Sequence, residues 1–361
     1  MRPALSSRHG PGDNAAGPAT VEDRLRKALR LIVGIAVSVA CLYFATKGTD
    51  WGEVGEVLAK TRLVWVGAVV VASVASLYIR AQRWRILLRP LGDVPLYPAL
   101  SATAIGFGAS SVLPFRIGEV LRPALLGRRA GVGLSGALSS VVLERLFDML
   151  SVIGCLIAVL LIHHVPRELR RSGYILTGLV VVGFVVLILM QRYRRGAERI
   201  VDAVLGGLPE RVARRARHVF ESFMNVVDGL ADIPTVLLVL FYSAYLWIVI
   251  ALTFLFSFLA LDTHVPLTAA SLTMVVTVAA AVSLPQAPGA AGTWQFACVF
   301  PLERFFHVPH KHAVGYSILT WLVQMVVNIG IAAYFLAREH LSLRDLARLA
   351  PSETPPAGAE G

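Results

Sequence analysis

The sequence predicts an all-α integral membrane protein with about six full transmembrane helices, two re-entrant broken-helix hairpins and an inverted-topology repeat. Three observations predict it. First, 56% of the 361 residues are hydrophobic and only 16% are charged, far more apolar sequence than one water-soluble core needs. Second, the apolar residues gather in runs that approach the roughly 20 residues needed to cross about 30 Å of hydrocarbon. Third, one motif occurs twice, 171 positions apart: Val94-Pro95-Leu96, Leu113-Pro114 and Gly118, then Val265-Pro266-Leu267, Leu284-Pro285 and Gly289. Pro and Gly interrupting apolar sequence at corresponding places in two halves point to broken helices at a transporter-type binding site.

In chain order, residues 1–23 read as a disordered tail rich in Pro, Gly, Ala and Ser. The first apolar run, 29–47, follows Arg24, Arg26, Lys27 and Arg30 and reads as a retained anchor, too long for a signal-peptide core. Further spans are expected at 63–79, 134–162, 174–191, 235–260 and 312–337. The repeat halves cover about 63–162 and 235–337 within a membrane domain of 24–340, joined by a basic cytoplasmic linker at 192–230. A polar tail, 341–361, follows. Cys41, Cys155 and Cys298 are dispersed through apolar segments and offer no disulfide framework.

Charge placement sets the orientation. The net charge of +11 gathers beside the apolar runs, at Arg24–Arg30, Arg80–Arg89 and Arg192–Arg217. That is the cytoplasmic-loop pattern, and it favours anionic headgroups over nucleic acid, for which no motif occurs. With a cytoplasmic N-terminus, a full crossing by 97–113 would place Arg116, Arg122, Arg128 and Arg129 outside. A segment that enters, breaks at Pro114–Gly118 and turns back keeps them inside, and the second motif then enters from the opposite face. Both termini are expected in the cytoplasm. Irregular backbone at membrane depth is tolerated only where protein buries it or where it lines a wet cavity, so the two breaks are expected to meet around one.

The candidate site residues cluster at those breaks. After the first, Arg116 opens a half-helix on which Glu119 and Arg122 share a face; helix N-termini and guanidiniums both suit phosphate or carboxylate. On 134–162, Glu144, Arg145 and Asp148 sit at mid-span, where an ionised side chain costs about 2.5–3.5 kcal/mol and therefore faces an interior or a cavity. The competing reading is a structural ion pair that fastens this helix to a neighbour. Gln324 and Asn328 echo Glu144 and Asp148 at a shift of 180, as amides in place of acids. The second break supplies Gly289 and Gly292 for tight turning, with Thr293 and Gln295 as polar contacts. It has no charge, so an asymmetric site is expected. His307, His310 and His312 lack a metal-binding arrangement; no metal, cofactor, phosphate-binding loop or catalytic constellation is expected.

Leu113-Pro114-Phe115-Arg116-Ile117-Gly118-Glu119-Val120-Leu121-Arg122, then Glu144-Arg145-Leu146-Phe147-Asp148, then Pro288-Gly289-Ala290-Ala291-Gly292-Thr293, resembles the lysylphosphatidylglycerol synthase transmembrane-region family of flippase-like proteins. The likeness extends over most of residues 25–340. Bifunctional members of that family add a cytoplasmic synthase, for which the residues after the last span leave no room. The resemblance therefore implies translocation or handling of a lipid rather than aminoacyl transfer, and places Arg116, Glu119, Arg122, Glu144, Arg145 and Asp148 in the family's polar motifs. The expected function is a flippase-like transporter in a bacterial cytoplasmic membrane, moving a phospholipid or polyprenyl-phosphate carrier with an anionic headgroup. Two alternatives stand beside it: a membrane-embedded transferase using Glu144 or Asp148 as general base, and a non-transporting accessory subunit whose partners are envelope-biosynthesis proteins.

Overall fold

A computed structural model describes residues 21–113, 117–162, 189–205, 210–228, 232–283 and 286–341, with single positions between 178 and 186 and at 346. Among these there is no strand. Helices α1 (Val21–Thr46) and α2 (Trp51–Ala59) form a pair bent by 82°. Asp50 sets the bend, accepting from the amides of Gly52 and Glu53 as the N-cap of α2. There follow α3 (Leu63–Leu88), α4 (Leu96–Val112), α5 (Ile117–Ala130) and α6 (Leu134–Ile162). Beyond α7 (Arg194–Leu205) and α8 (Glu210–Asp228) come α9 (Ile233–Ala260), α10 (Leu267–Val282), α11 (Thr293–Phe306) and α12 (His310–Arg338).

Among the described residues four helices, α3, α6, α9 and α12, are long and apolar enough to cross a membrane, and the bent α1–α2 pair makes a fifth if it acts as one span. The 29 residues of α6 or α12 extend about 43 Å at 1.5 Å per residue, beyond the hydrocarbon thickness. The expected span 174–191 lies largely outside the described residues, as do the terminal tails, Arg116 with the rest of the first break, and Leu284-Pro285. The structure alters two expectations. The span predicted at 63–79 runs on to Leu88, so Arg80, Arg83 and Arg85 stand on a helix rather than in a loop. The basic linker contains α7 and α8, and α8 packs through Val226 and Val227 against Leu143 of α6, with Ser222 donating to Ser135 at 2.9 Å.

The repeated motif marks two helical hairpins. Pro95 precedes α4 and Pro266 precedes α10, each an N-cap where the missing amide hydrogen does no harm. In the first hairpin α5 lies against α4, and in the second α11 lies against α10. Gly118 explains how closely the first pair packs: a Cβ there would stand 1.9 Å from the carbonyl oxygen of Gly106, so only glycine lets the backbones approach. Packing partners are preserved under the exchange of α3 with α9, α4 with α10, α5 with α11 and α6 with α12. Thus α4 packs on α12, as α10 packs on α6, and α3 packs on α9. The apolar cores follow the same rule. The core around α4 and α5 takes Phe335 from α12, and the core around α10 and α11 takes Val152 and Leu156 from α6.

Candidate functional site

The site begins with the spacing of acids on α6. Glu144 and Asp148, one turn apart, point off the same helix face and are both buried. Buried carboxylates need cations, and α3 provides them. Arg83, fully buried, donates to Glu144 at 3.1 Å and contacts Asp148 at 2.8 Å. Arg80, one turn earlier, stands 3.9 Å from Asp148. From α5, Arg122 donates to the second oxygen of Glu144 at 2.9 Å while its guanidinium lies 3.8 Å above the Trp84 ring. Arg145 reaches Glu119 at 3.2 Å and Asp148 at 3.7 Å. The α9 helix adds neutral partners: Ser243 accepts from Arg83 at 3.1 Å, and the Trp247 indole donates to Asp148 at 3.2 Å.

The charges in this cluster do not cancel. Among the described residues four guanidiniums (Arg80, Arg83, Arg122 and Arg145) meet three carboxylates (Glu119, Glu144 and Asp148), leaving one positive charge in excess. Arg122 is 3% exposed, yet its Nε and one terminal nitrogen have no hydrogen-bond partner. Surplus positive charge in a low-dielectric interior is costly, and an anion placed beside it offsets that cost.

Such an anion has room. A cavity of about 760 Å³ is lined by Arg80, Glu119, Arg122, Arg145 and Asp148 on one side and by Gln286, Gly289, Gln324 and Asn328 on the other. The second break adjoins the end of α4 across it. The turn Pro288–Ala290 abuts α4, and a Cβ on Gly289 would stand 2.9 Å from the Ser111 carbonyl oxygen. Gly289 adopts φ +65°, the left-handed region open to glycine. Its carbonyl accepts from the Trp321 indole at 2.8 Å.

Of the residues singled out in the sequence, Glu119, Arg122, Arg145, Asp148, Gly289, Gln324 and Asn328 line the cavity. Glu144 stands behind it and holds Arg83 and Arg122. Gly292, Thr293 and Gln295 are buried outside the lining and hold the second break in shape. Gln295 accepts from the Gly292 amide at 2.7 Å and Thr293 donates to Gln286 at 2.7 Å. Gly292, at φ +85°, lies so close to α1 that a Cβ would meet the Ser38 carbonyl oxygen at 1.9 Å. Arg116 lies outside the described residues. Two residues escaped the sequence reading, Arg80 and Arg83, because a span was ended before them. No local signal marked them, because their carboxylate partners lie 61 or more residues away on α6. At the far end of the molecule His310 is engaged with Glu303 and with Thr49, tying the turn before α2 to the corner between α11 and α12.

Fold and site together define a multi-pass helical membrane protein with a charged cavity enclosed between two broken-helix hairpins. The chain belongs to the family described as the lysylphosphatidylglycerol synthase TM region, whose model matches residues 31–332. It is also similar to a Haloferax volcanii protein named Glycosyltransferase AglD, at 24% identity over 339 residues covering 86% of this chain and 54% of the relative. The chain thus spans about half the length of that curated relative.

Proposed function

We propose that the protein moves a phosphate-bearing lipid between the leaflets of a bacterial cytoplasmic membrane, with both termini in the cytoplasm. In this reading the α4–α5 and α10–α11 hairpins dip into the bilayer from opposite faces as an inverted-topology repeat. Two facts support it. Each half-helix, at 14–17 residues, is shorter than the roughly 20 needed to span, and the packing partners exchange consistently between the halves. The headgroup occupies the cavity and the acyl chains stay in lipid, alongside the exposed apolar side chains Val142 and Met149 of α6. Arg122 holds the phosphate, with Arg116 and Arg145 contributing positive charge. Glu144 and Asp148 position the arginines.

The single observation that carries this reading is the excess of positive charge on the cavity wall, where Arg80, Arg122 and Arg145 face Glu119 and Asp148. Vesicles containing the full chain and headgroup-labelled lipids test it. Protein-dependent translocation of an anionic lipid, lost in Arg122→Gln, is expected. Absence of translocation across anionic, zwitterionic and polyprenyl-phosphate lipids overturns it.

The relative's name raises a second reading, a transferase acting on lipid-linked substrates. Against it, the carboxylates of the cluster are all engaged: Glu144 and Asp148 by Arg83, and Glu119 by Arg145. A general base must be free to take a proton. Analysis of lipid extracts separates the readings, since a covalently altered lipid marks the enzyme and a changed leaflet distribution marks the transporter.

A further inference from the structure

Resting on the lipid-handling reading, we infer that the cavity selects a phosphodiester lipid whose outer group is an uncharged polyol, glycerol or sugar, and rejects headgroups that bear an amine. The inference comes from the unlike ends of the cavity. At the first end the carboxylates on the lining are already matched. Glu119 contacts Arg145 at 3.2 Å; Asp148 meets Arg83 at 2.8 Å and the Trp247 indole at 3.2 Å. An ammonium placed there would find no carboxylate to spare among the described residues and would face the surplus guanidinium charge, a repulsion strengthened by the low dielectric. A phosphate there meets the excess of guanidiniums on the lining, Arg80, Arg122 and Arg145 against Glu119 and Asp148.

At the second end the described lining residues carry no ionised side chain; their polar groups are hydroxyls, carboxamides and the indoles of Trp294 and Trp321, set among apolar side chains such as Val275 and Met325. Gln324 donates to the Asn328 carboxamide oxygen at 3.0 Å, and Asn328 donates to the Ser111 hydroxyl at 3.3 Å. Those bonds use one N–H of each amide. A second N–H on each residue and the carboxamide oxygen of Gln324 remain, so this end both donates and accepts. An ammonium only donates and a phosphate dianion only accepts. A hydroxyl does both, and vicinal hydroxyls match adjoining amides. The ends are joined, because Ser111 lies on α4 beside the first break while its carbonyl faces Gly289. One molecule can therefore present phosphate to Arg122 and hydroxyls to Gln324 and Asn328.

The test measures binding of short-chain probes to the purified full chain in phosphatidylcholine nanodiscs. The probes are phosphatidylglycerol, a glucosyl phosphoprenol, phosphatidic acid and phosphatidylethanolamine. At least one of the two polyol phosphodiesters is expected to bind about tenfold more tightly than phosphatidylethanolamine, and which one binds identifies the polyol. In Gln324→Leu and Asn328→Leu the affinity ratio of that lipid to phosphatidic acid is expected to fall roughly three- to tenfold. Equal binding of phosphatidylethanolamine overturns the inference with the unaltered protein alone, whether or not the variants fold. An unchanged ratio in folded variants overturns it as well. If none of the probes binds, or if Arg122→Gln weakens none of them, the lipid-handling reading itself fails.

Discussion

The two halves of the molecule share an order of helices and a scheme of packing, yet one is built on charge and the other on neutral polar groups. On α3, α5 and α6 seven ionised side chains converge within the bilayer-length part of the fold. At the places that correspond by packing, α9 and α12 offer Ser243, Trp247, Gln324 and Asn328. The contrast shows that two halves with one packing scheme share backbone requirements while differing in side-chain chemistry. Both hairpins need a proline at the entrance and a glycine at the break, because those positions are dictated by helix termination and close approach. The side chains that face the cavity carry no such constraint, and the two halves line it with unlike groups.

The most severe way to break the contrast is Arg83→Met. Removing the hub leaves Glu144 and Asp148 short of a partner, and a buried pair broken on one side loses about 3–5 kcal/mol. Thermal unfolding of the detergent-solubilised protein should report a large drop or loss of folded material. A variant as stable as the parent would show that the cluster is not structural.

Next comes the pair of break glycines. Gly118→Ala meets backbone at 1.9 Å, whereas the nearest atom to a Cβ on Gly289 is the mobile end of Met325. The first substitution is expected to destabilise by about 1–3 kcal/mol and the second by less, measured in the same unfolding assay. The reverse order would place the tighter constraint in the second hairpin. The amides of α12 follow: Asn328→Leu removes an interhelical contact with Ser111 worth about 0.6–1.7 kcal/mol in a membrane, and Gln324→Leu, whose bond to Asn328 lies within α12, is expected to cost no more. A loss equal to that of Arg83→Met would erase the difference between the halves. The smallest effect is expected for Arg145→Gln. Its side chain is 34% exposed, and a partly solvated pair contributes under about 1 kcal/mol. A larger loss of stability would move Arg145 from the lining of the cavity into its framework.

Much of this was legible in the sequence for a simple reason. The 19-residue step from Pro95 to Pro114, repeated from Pro266 to Pro285, reports backbone geometry, and backbone geometry is local. The hairpins and their contact follow from it, and the four-residue spacing of Glu144 and Asp148 follows from helix periodicity. Arg80 and Arg83 were obscured because hydropathy ends a span at the first arginine, although α3 continues two turns further. Ion pairing across a distance of 61 residues makes that continuation tolerable, and pairing at such range has no signature in a local window.

By itself, then, the sequence determined the membrane class, the positions of the two breaks and the family to which the chain belongs. These depend on composition, on prolines that cannot donate a hydrogen bond and on glycines that can approach a neighbouring backbone. Tertiary structure alone decided which cations hold which acids and which arginine is left with donors to offer. It also separated the break residues that line the cavity from those that brace it. Those outcomes depend on which helix faces meet, and electrostatic partnership is settled only when distant segments are brought within a few ångströms and water is excluded between them.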